Sequence, residues 1–111
     1  MEMWVRARRD EKVRETYFRL DRRQRGLIAD IVREGQAAGE FDPAADPDDF
    51  AIALSGLMDG LGVQVTLGQP DVTAERMIDR CLALASSELG YAFSRNGAVP
   101  KRRKRGAKGD V

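Results

Sequence analysis

Few side chains in this sequence could carry out chemistry, and they do not form a catalytic set. The chain has no histidine and one cysteine, Cys81. Serine and cysteine nucleophiles usually need a neighbouring base such as imidazole, which is also the commonest metal-binding side chain. The acidic residues Asp48 and Asp49 follow Asp46-Pro47, an order typical of a helix start rather than of an acid–base pair. We therefore expect no enzyme activity, no metal centre and no cofactor.

Charge is spread unevenly along the 111 residues, although the formal net charge is only +1. Residues 1–25 hold nine Lys/Arg and five Asp/Glu, residues 26–94 hold three and twelve, and residues 95–111 hold seven and one. The acidic middle block is a poor surface for DNA phosphates. The basic end could bind nucleic acid without sequence preference, or it could serve only to solubilise the chain. The candidate nucleic-acid contacts are Lys101, Arg102, Arg103, Lys104 and Arg105.

The number of cysteines and the hydropathy of the chain indicate the cellular compartment in which the protein works. A single cysteine cannot form an intramolecular disulfide, which is typical of a reducing compartment. Apolar runs stay far short of the roughly 18 residues of a membrane-spanning helix. The opening sequence MEMWVRARRD lacks the apolar core of a signal peptide. We expect a cytoplasmic chain without a membrane partner.

The hydrophobic pattern predicts an all-α fold that begins with a long helix. This helix runs from Glu11 to about Ala37 with Asp10 as its N-cap, and Met1 to Arg9 is predicted to end an earlier helix. One face collects Val13, Tyr17, Leu20, Gln24, Leu27, Ile28 and Ile31. The arginines of the helix are expected to lie on a solvated surface. Gln24 is either a core amide with satisfied hydrogen bonds or a contact to a bound small molecule.

A turn and a second helix follow. Gly35 and Gly39 are predicted to end the first helix through left-handed backbone conformations, and Phe41 to return to the apolar side. Asp46 is the predicted N-cap of the second helix, which covers about Pro47–Gly68.

The second helix carries two apolar stripes, more than one three-helix monomer can easily cover. The first stripe is Phe50, Leu54, Leu57, Met58, Leu61 and Val65. The second is Ile52, Ala53, Gly56, Gly60, Val63 and Leu67. A polar strip expected to face water is Asp48, Ser55, Asp59 and Thr66. Small residues in the second stripe would let another helix approach closely, which favours a helix-pair interface; loose packing inside the monomer is the alternative.

A third helix is predicted from Thr73, its cap, to Leu89. Its apolar face is Ala74, Ile78, Cys81, Leu82, Ala85 and Leu89, and the residues expected to face outward are Asp79, Arg80, Ser86 and Ser87. Cys81 is expected to be a small buried hydrophobe rather than a reactive thiol. No strand is predicted. Residues 1–93 are expected to form one domain and residues 94–111 a disordered basic tail.

Several segments resemble, in order and spacing, the C-terminal half of TetR-type transcriptional regulators, and more narrowly the BetI-like subgroup. The segments are REGQAAGEFDP, ALSGLMDGLGVQVTLG and DVTAERMIDRCLALASSELG, so the resemblance covers about Trp4 to Gly90. It implies a homodimer in which the last two helices pair with their copies in a four-helix bundle. It also implies an effector pocket between the long helix and helices that would precede Trp4, which are expected to be missing from this sequence. The family reads DNA through an N-terminal helix-turn-helix domain, and we expect no counterpart of it in these 111 residues.

The resemblance and the stripes together define two candidate surfaces. The expected dimer residues are Ala53, Gly56, Gly60, Val63, Leu67, Ile78, Cys81, Leu82 and Ala85. The expected effector-pocket residues are Tyr17, Leu20, Gln24, Leu27 and Met58, with the effector unknown. The implied function is the dimerisation and effector-sensing portion of a repressor. The alternatives are a standalone helical module that forms heterodimers with full-length relatives, and a weak nucleic-acid binder through the basic tail.

Overall fold

The computed structural model describes residues 10–95 and 97–99, and within them it consists of three helices and a small hairpin. The elements are α1 (Glu11–Ala37), α2 (Pro47–Thr66), α3 (Ala74–Leu89), β1 (Ala92–Ser94) and β2 (Gly97–Val99). α2 packs against both α1 and α3. The predicted all-α architecture, a long helix followed by a helix pair, is confirmed. The predictions for Met1 to Arg9 and for Lys101 to Arg105 lie outside the described residues.

Each helix starts at the residue that the sequence predicts. Asp10 and Asp46 each accept two hydrogen bonds from backbone N–H groups of the following turn, at 2.9–3.2 Å. Thr73 Oγ1 accepts from the backbone N–H of Arg76 at 3.1 Å. These side chains satisfy donors that have no partner inside a helix, which is why short polar residues fix the starting points.

The turn between α1 and α2 uses its two glycines in different ways. Gly39 adopts φ +78°, the left-handed conformation predicted for it. Gly35 does not, and its predicted role was wrong: it is a helical residue of α1, buried beneath the ring of Phe41. The side chain of Gln36 then holds the turn, because its Nε2 donates to the carbonyl oxygens of Asp42 and Ala45 at 3.0 and 2.8 Å.

The core lies where the end of α1, the start of α2 and the end of α3 meet. Its buried side chains are Val32, Phe41, Phe50 and Leu89, with Ile28, Leu54, Leu84, Ala85, Tyr91 and Phe93 packed around them. The backbone N–H of Asp42 also donates to the carbonyl of Leu89 at 2.9 Å. The core therefore joins residues that are far apart in sequence at one end of the helix pair.

Only part of the apolar face predicted for α1 packs, because Ile28 contacts the core while four of its members stay exposed. Val32 retains 1% of its exposure and Ala29 is equally buried, whereas Leu27 and Ile31 remain 62% and 61% exposed. Leu20 and Gln24 are also exposed. The buried residues of α1 are Ala29, Val32 and Gly35, and the exposed apolar residues Leu27 and Ile31 lie about a quarter turn away. Periodicity identifies an apolar stripe but does not say which partner covers it.

The strip of α2 that was predicted to face water packs in part against α1. Arg33 Nη2 of α1 lies 2.9 Å from Asp48 Oδ1, and Tyr17 of α1 interacts with Asp59. Ala51 and Ser55 fall between these two contacts at helical spacing, on the side of α2 that faces α1, and both are buried. The prediction that Ser55 faces water was therefore wrong, since the side chain is 3% exposed.

The chain continues after α3 into a hairpin that the sequence did not predict. β1 pairs antiparallel with β2, in the register Ala92↔Val99 and Ser94↔Gly97. Ser86, expected to face outward, is half-buried instead, because its Oγ accepts the backbone N–H of Phe93 at 3.0 Å. Within the described ranges, no helix has the length and apolar character needed to cross a membrane.

Candidate functional site

The second stripe of α2 is left uncovered by the described residues. Ala53, Gly56 and Gly60 are exposed, and Leu67 keeps 66% of its exposure. Val63 is half-buried. A β-carbon built on Gly56 or on Gly60 would meet no atom within 4 Å. These glycines therefore do not serve close packing within the described part of the monomer.

α3 continues this surface with four residues, three of which are partly covered. Ile78 is exposed, while Cys81, Leu82 and Ala85 are half-buried. Ala85 also packs against the core. Burial raises the pKa of the Cys81 thiol above its ordinary value of 9.0, which keeps the sulfur protonated near neutral pH. We call the nine predicted residues of α2 and α3 the small-residue surface.

The predicted effector residues divide between two environments. Tyr17 and Met58 are half-buried. Leu20, Gln24 and Leu27 are exposed on an adjoining face of α1. Gln24 is therefore not a core amide, and the interpretation favouring a buried, satisfied side chain was wrong. The exposed face of α1, which also includes Ile31, is called the α1 stripe below.

A polar cluster between α1 and α2 includes groups that sequence reasoning did not connect. The pKa of the Tyr17 phenol is raised from 10.0, chiefly by burial and then by the negative charges of Asp59 and Asp21, with hydrogen bonding to Asp59 adding to the effect. Arg25 Nε lies 2.8 Å from Asp21 Oδ2. Asp59 was expected only to face water, and nothing in the helical periodicity of α2 indicated that a phenol of α1 lies against it.

The groups around Tyr17 are of kinds that can bind a ligand. A phenol kept protonated beside two carboxylates can donate or accept hydrogen bonds, and its ring face can contact a cation. Among the described residues, no group of three or more acidic, histidine or cysteine side chains could hold a metal ion.

In the described residues, a long helix packs against the first helix of an antiparallel pair. Residues 1–90 match the family described as BetI-type transcriptional repressor, C-terminal. Because the match spans most of the chain, the chain belongs to this family of TetR-type transcriptional regulators, which is a family of regulators and not of enzymes.

A solved structure shows the same fold. It is a provisionally assigned transcriptional regulator from Saccharomonospora viridis, crystallised in complex with choline. It is 30% identical in sequence, with a TM-score of 0.72, over 78% of this chain. The chain spans 45% of the length of that protein. The search of curated proteins gave no match.

Proposed function

We propose that this chain is the dimerisation and effector-sensing portion of a BetI-type transcriptional repressor. Its compartment is then the cytoplasm, where the regulated DNA lies. Its role is binding, without enzymatic turnover. The small-residue surface forms a homodimer through a four-helix bundle, and the α1 stripe with the Tyr17 cluster contacts a small-molecule effector.

The uncovered stripe on α2 is the observation that supports the dimer proposal. Two faces of this helix already pack, one against α1 and one against α3 and the core. An exposed apolar patch of this kind usually marks an interaction site. The third face has Gly56 and Gly60 at its centre, where helix axes can approach closely, and large apolar residues at its ends. A copy of the same surface would cover it symmetrically, as closed dimers require.

A pair of glycine variants tests the dimer. Gly60 and Gly26 are both helical, and a β-carbon at either one meets nothing within 4 Å. Gly60→Leu should raise the dimer dissociation constant, because a bulky side chain separates the helix axes at the interface. Gly26→Leu, on α1, should leave the dissociation constant unchanged. Sedimentation equilibrium measures both variants, and a wild-type chain that stays monomeric at all concentrations would refute the dimer.

The effector proposed is a small organic cation, with choline as the probe because the similar structure holds it. Tyr17 offers an aromatic ring, and Asp59 and Asp21 place negative charge beside it. A ring face together with a carboxylate favours a quaternary ammonium group. Leu20 is exposed and follows Tyr17 by three residues, so it suits the apolar part of such a ligand.

Calorimetric titration of the chain with choline tests this assignment. Asp59→Asn should weaken choline binding, because the amide keeps the shape of the side chain and removes its charge. Asp71→Asn, a carboxylate in the exposed loop before α3, is the matched control and should bind as the wild type does. If Asp59→Asn binds choline as tightly as the wild type, or if the wild type gives no heat of binding, choline does not bind beside Tyr17 and Asp59.

A further inference from the structure

The chain folds back along α3 after residue 90, where the family match ends. Gly90 adopts φ +65°, and this left-handed residue turns the chain round. Residues 91–95 then run beside α3 in the opposite direction. We call residues 91–95 the C-terminal strap.

Two polar contacts attach the strap to the side of α3. The backbone N–H of Phe93 donates to Ser86 Oγ at 3.0 Å. Nη2 of Arg95 lies 3.2 Å from Asp79 Oδ1, about two turns nearer the start of the helix. The strap therefore follows the flank of α3 for two turns rather than ending at the helix terminus.

Aromatic rings attach the same strap to the corner between α1 and α2. The ring centroid of Phe41 lies 5.4 Å from that of Tyr91 and 5.7 Å from that of Phe93. Tyr91 and Phe93 lie 4.8 Å apart, so the three rings form one cluster. Rings at these separations attract one another beyond the effect of burial alone. The cluster therefore joins the segment after α3 to the loop between α1 and α2.

The strap also borders the small-residue surface. Ser86 follows Leu82 by four residues, and Asp79 precedes it by three, so both are neighbours of Leu82 on the helix surface. Leu82 is one of the proposed dimer residues. The strap thus lies along the edge of the face that a second copy would cover.

We propose that the C-terminal strap is a positioning element for the homodimer: by holding α3 on its flank and at its end, it fixes the rotation of α3 so that Ile78 and Leu82 form one continuous surface with the exposed stripe of α2. This inference rests on the proposed dimer. If the strap only covered the core, the aromatic cluster would be enough to hold it in place. The two contacts along the flank, beside Leu82, set the orientation of the helix about its own axis.

Sedimentation equilibrium of the full chain tests the strap. Phe93→Ala removes a ring of the cluster, and Ser86→Ala removes the flank hydrogen bond with little change in size. Phe93→Ala should weaken dimerisation at least about tenfold, with a smaller effect in the same direction for Ser86→Ala. The controls are Ser87→Ala, the exposed serine next in sequence, and Phe18→Ala, an exposed ring on α1; both should keep the wild-type dissociation constant. Circular dichroism at the same temperature establishes that each variant is folded.

The outcomes separate this inference from the dimer proposal. If the wild-type chain dimerises while Phe93→Ala and Ser86→Ala fold and dimerise just as tightly, the strap only covers the core. In that case this inference is wrong while the dimer proposal stands. A wild-type chain that never dimerises would overturn both. If Phe93→Ala does not fold, Ser86→Ala against Ser87→Ala decides, because neither serine contributes a core side chain.

Discussion

The ring of Phe41 occupies the space that a β-carbon on Gly35 would need. The carbonyl of Gly35 accepts the backbone N–H groups of Glu40 and Phe41, at 2.8 and 3.2 Å, so the turn folds directly back over the end of α1. The position of the Phe41 ring explains why residue 35 is glycine, although alanine is ordinarily favoured inside a helix by about 1 kcal/mol.

Gly35→Ala should lower the free energy of unfolding by about 1–3 kcal/mol, because the added methyl group forces the Phe41 ring out of the core. Gly26→Ala lies in the same helix, and its β-carbon meets nothing within 4 Å. That control should raise stability by about 0.5–1 kcal/mol through helix propensity alone. Urea unfolding followed by circular dichroism compares them. Similar effects of the two substitutions would mean that Phe41 does not press on Gly35.

The ends of the helices could be predicted from sequence because their signals are local. A capping side chain such as Asp46 bonds to N–H groups two and three residues away, so a few residues contain the whole interaction. The role of Gly35 could not be predicted in this way. It depends on where the ring of Phe41 lies, and that position is set by Phe50 and Leu89 from two other helices.

Ser55→Ala should stabilise the fold. Ser55 Oγ is buried without a hydrogen-bond partner among the described residues, which leaves its loss of hydration uncompensated. Removing the hydroxyl should raise the free energy of unfolding by about 1–3 kcal/mol beyond any change in helix propensity. Ser87→Ala, an exposed serine within α3, measures the propensity effect. An equal gain in both variants would show that Ser55 does find a partner in solution.

Cys81 should react slowly with a thiol reagent such as DTNB, and more slowly still as the chain concentration rises. Burial raises the pKa of its thiol above 9.0, so little of the reactive thiolate is present near neutral pH. Dimerisation would cover the residue further, since it belongs to the small-residue surface. Labelling rates measured across a dilution series give the result. A rate that does not depend on concentration, in a chain shown to dimerise, would place Cys81 outside the interface.

The candidate surfaces were less predictable than the helices, for a physical reason. The glycines of the second α2 stripe could be selected because their small size at helical spacing is visible in the sequence. Asp59 could not, since its importance comes from Tyr17, forty-two residues earlier on another helix. The rotation of α1 could not be predicted either, because the sequence alone does not show that Val32 is buried in the core while Leu27 and Ile31 stay exposed.

DNA affinity of the purified 111-residue chain should be weak, independent of sequence and steeply dependent on salt. The residues expected to supply it are Lys101–Arg105, whose positive charges would displace counterions from the phosphates. Removing residues 96–111 should abolish this binding in a filter-binding or gel-shift assay. Replacing the five cations by glutamine, with the length kept, separates charge from chain length. Binding that survives both changes and distinguishes one sequence from another would reveal a different DNA-reading surface.

The small-residue surface should also allow this chain to pair with a full-length relative that carries the same surface. Residues 1–90 match the C-terminal domain of the family, so in a mixed dimer made with a polypeptide of residues 1–111 the relative supplies the helix-turn-helix domain. Regulators of this class bind two half-sites with two reading heads. Specific binding exceeds non-specific binding by about 4–10 kcal/mol, and halving the base and phosphate contacts removes much of that margin. Adding the 111-residue chain should therefore weaken operator binding by the relative.

Co-expression with a full-length relative, followed by pull-down and an operator gel shift, measures this effect. The Gly60→Leu chain is the matched control, because it keeps the basic tail and loses only the interface. It should neither copurify with the relative nor change its affinity for the operator. If the wild-type chain pairs with the relative and the operator is bound as tightly as before, the inhibitory role is wrong although the shared interface is real. If the Gly60→Leu chain inhibits as well as the wild type, the effect comes from the tail competing for DNA and not from a mixed dimer.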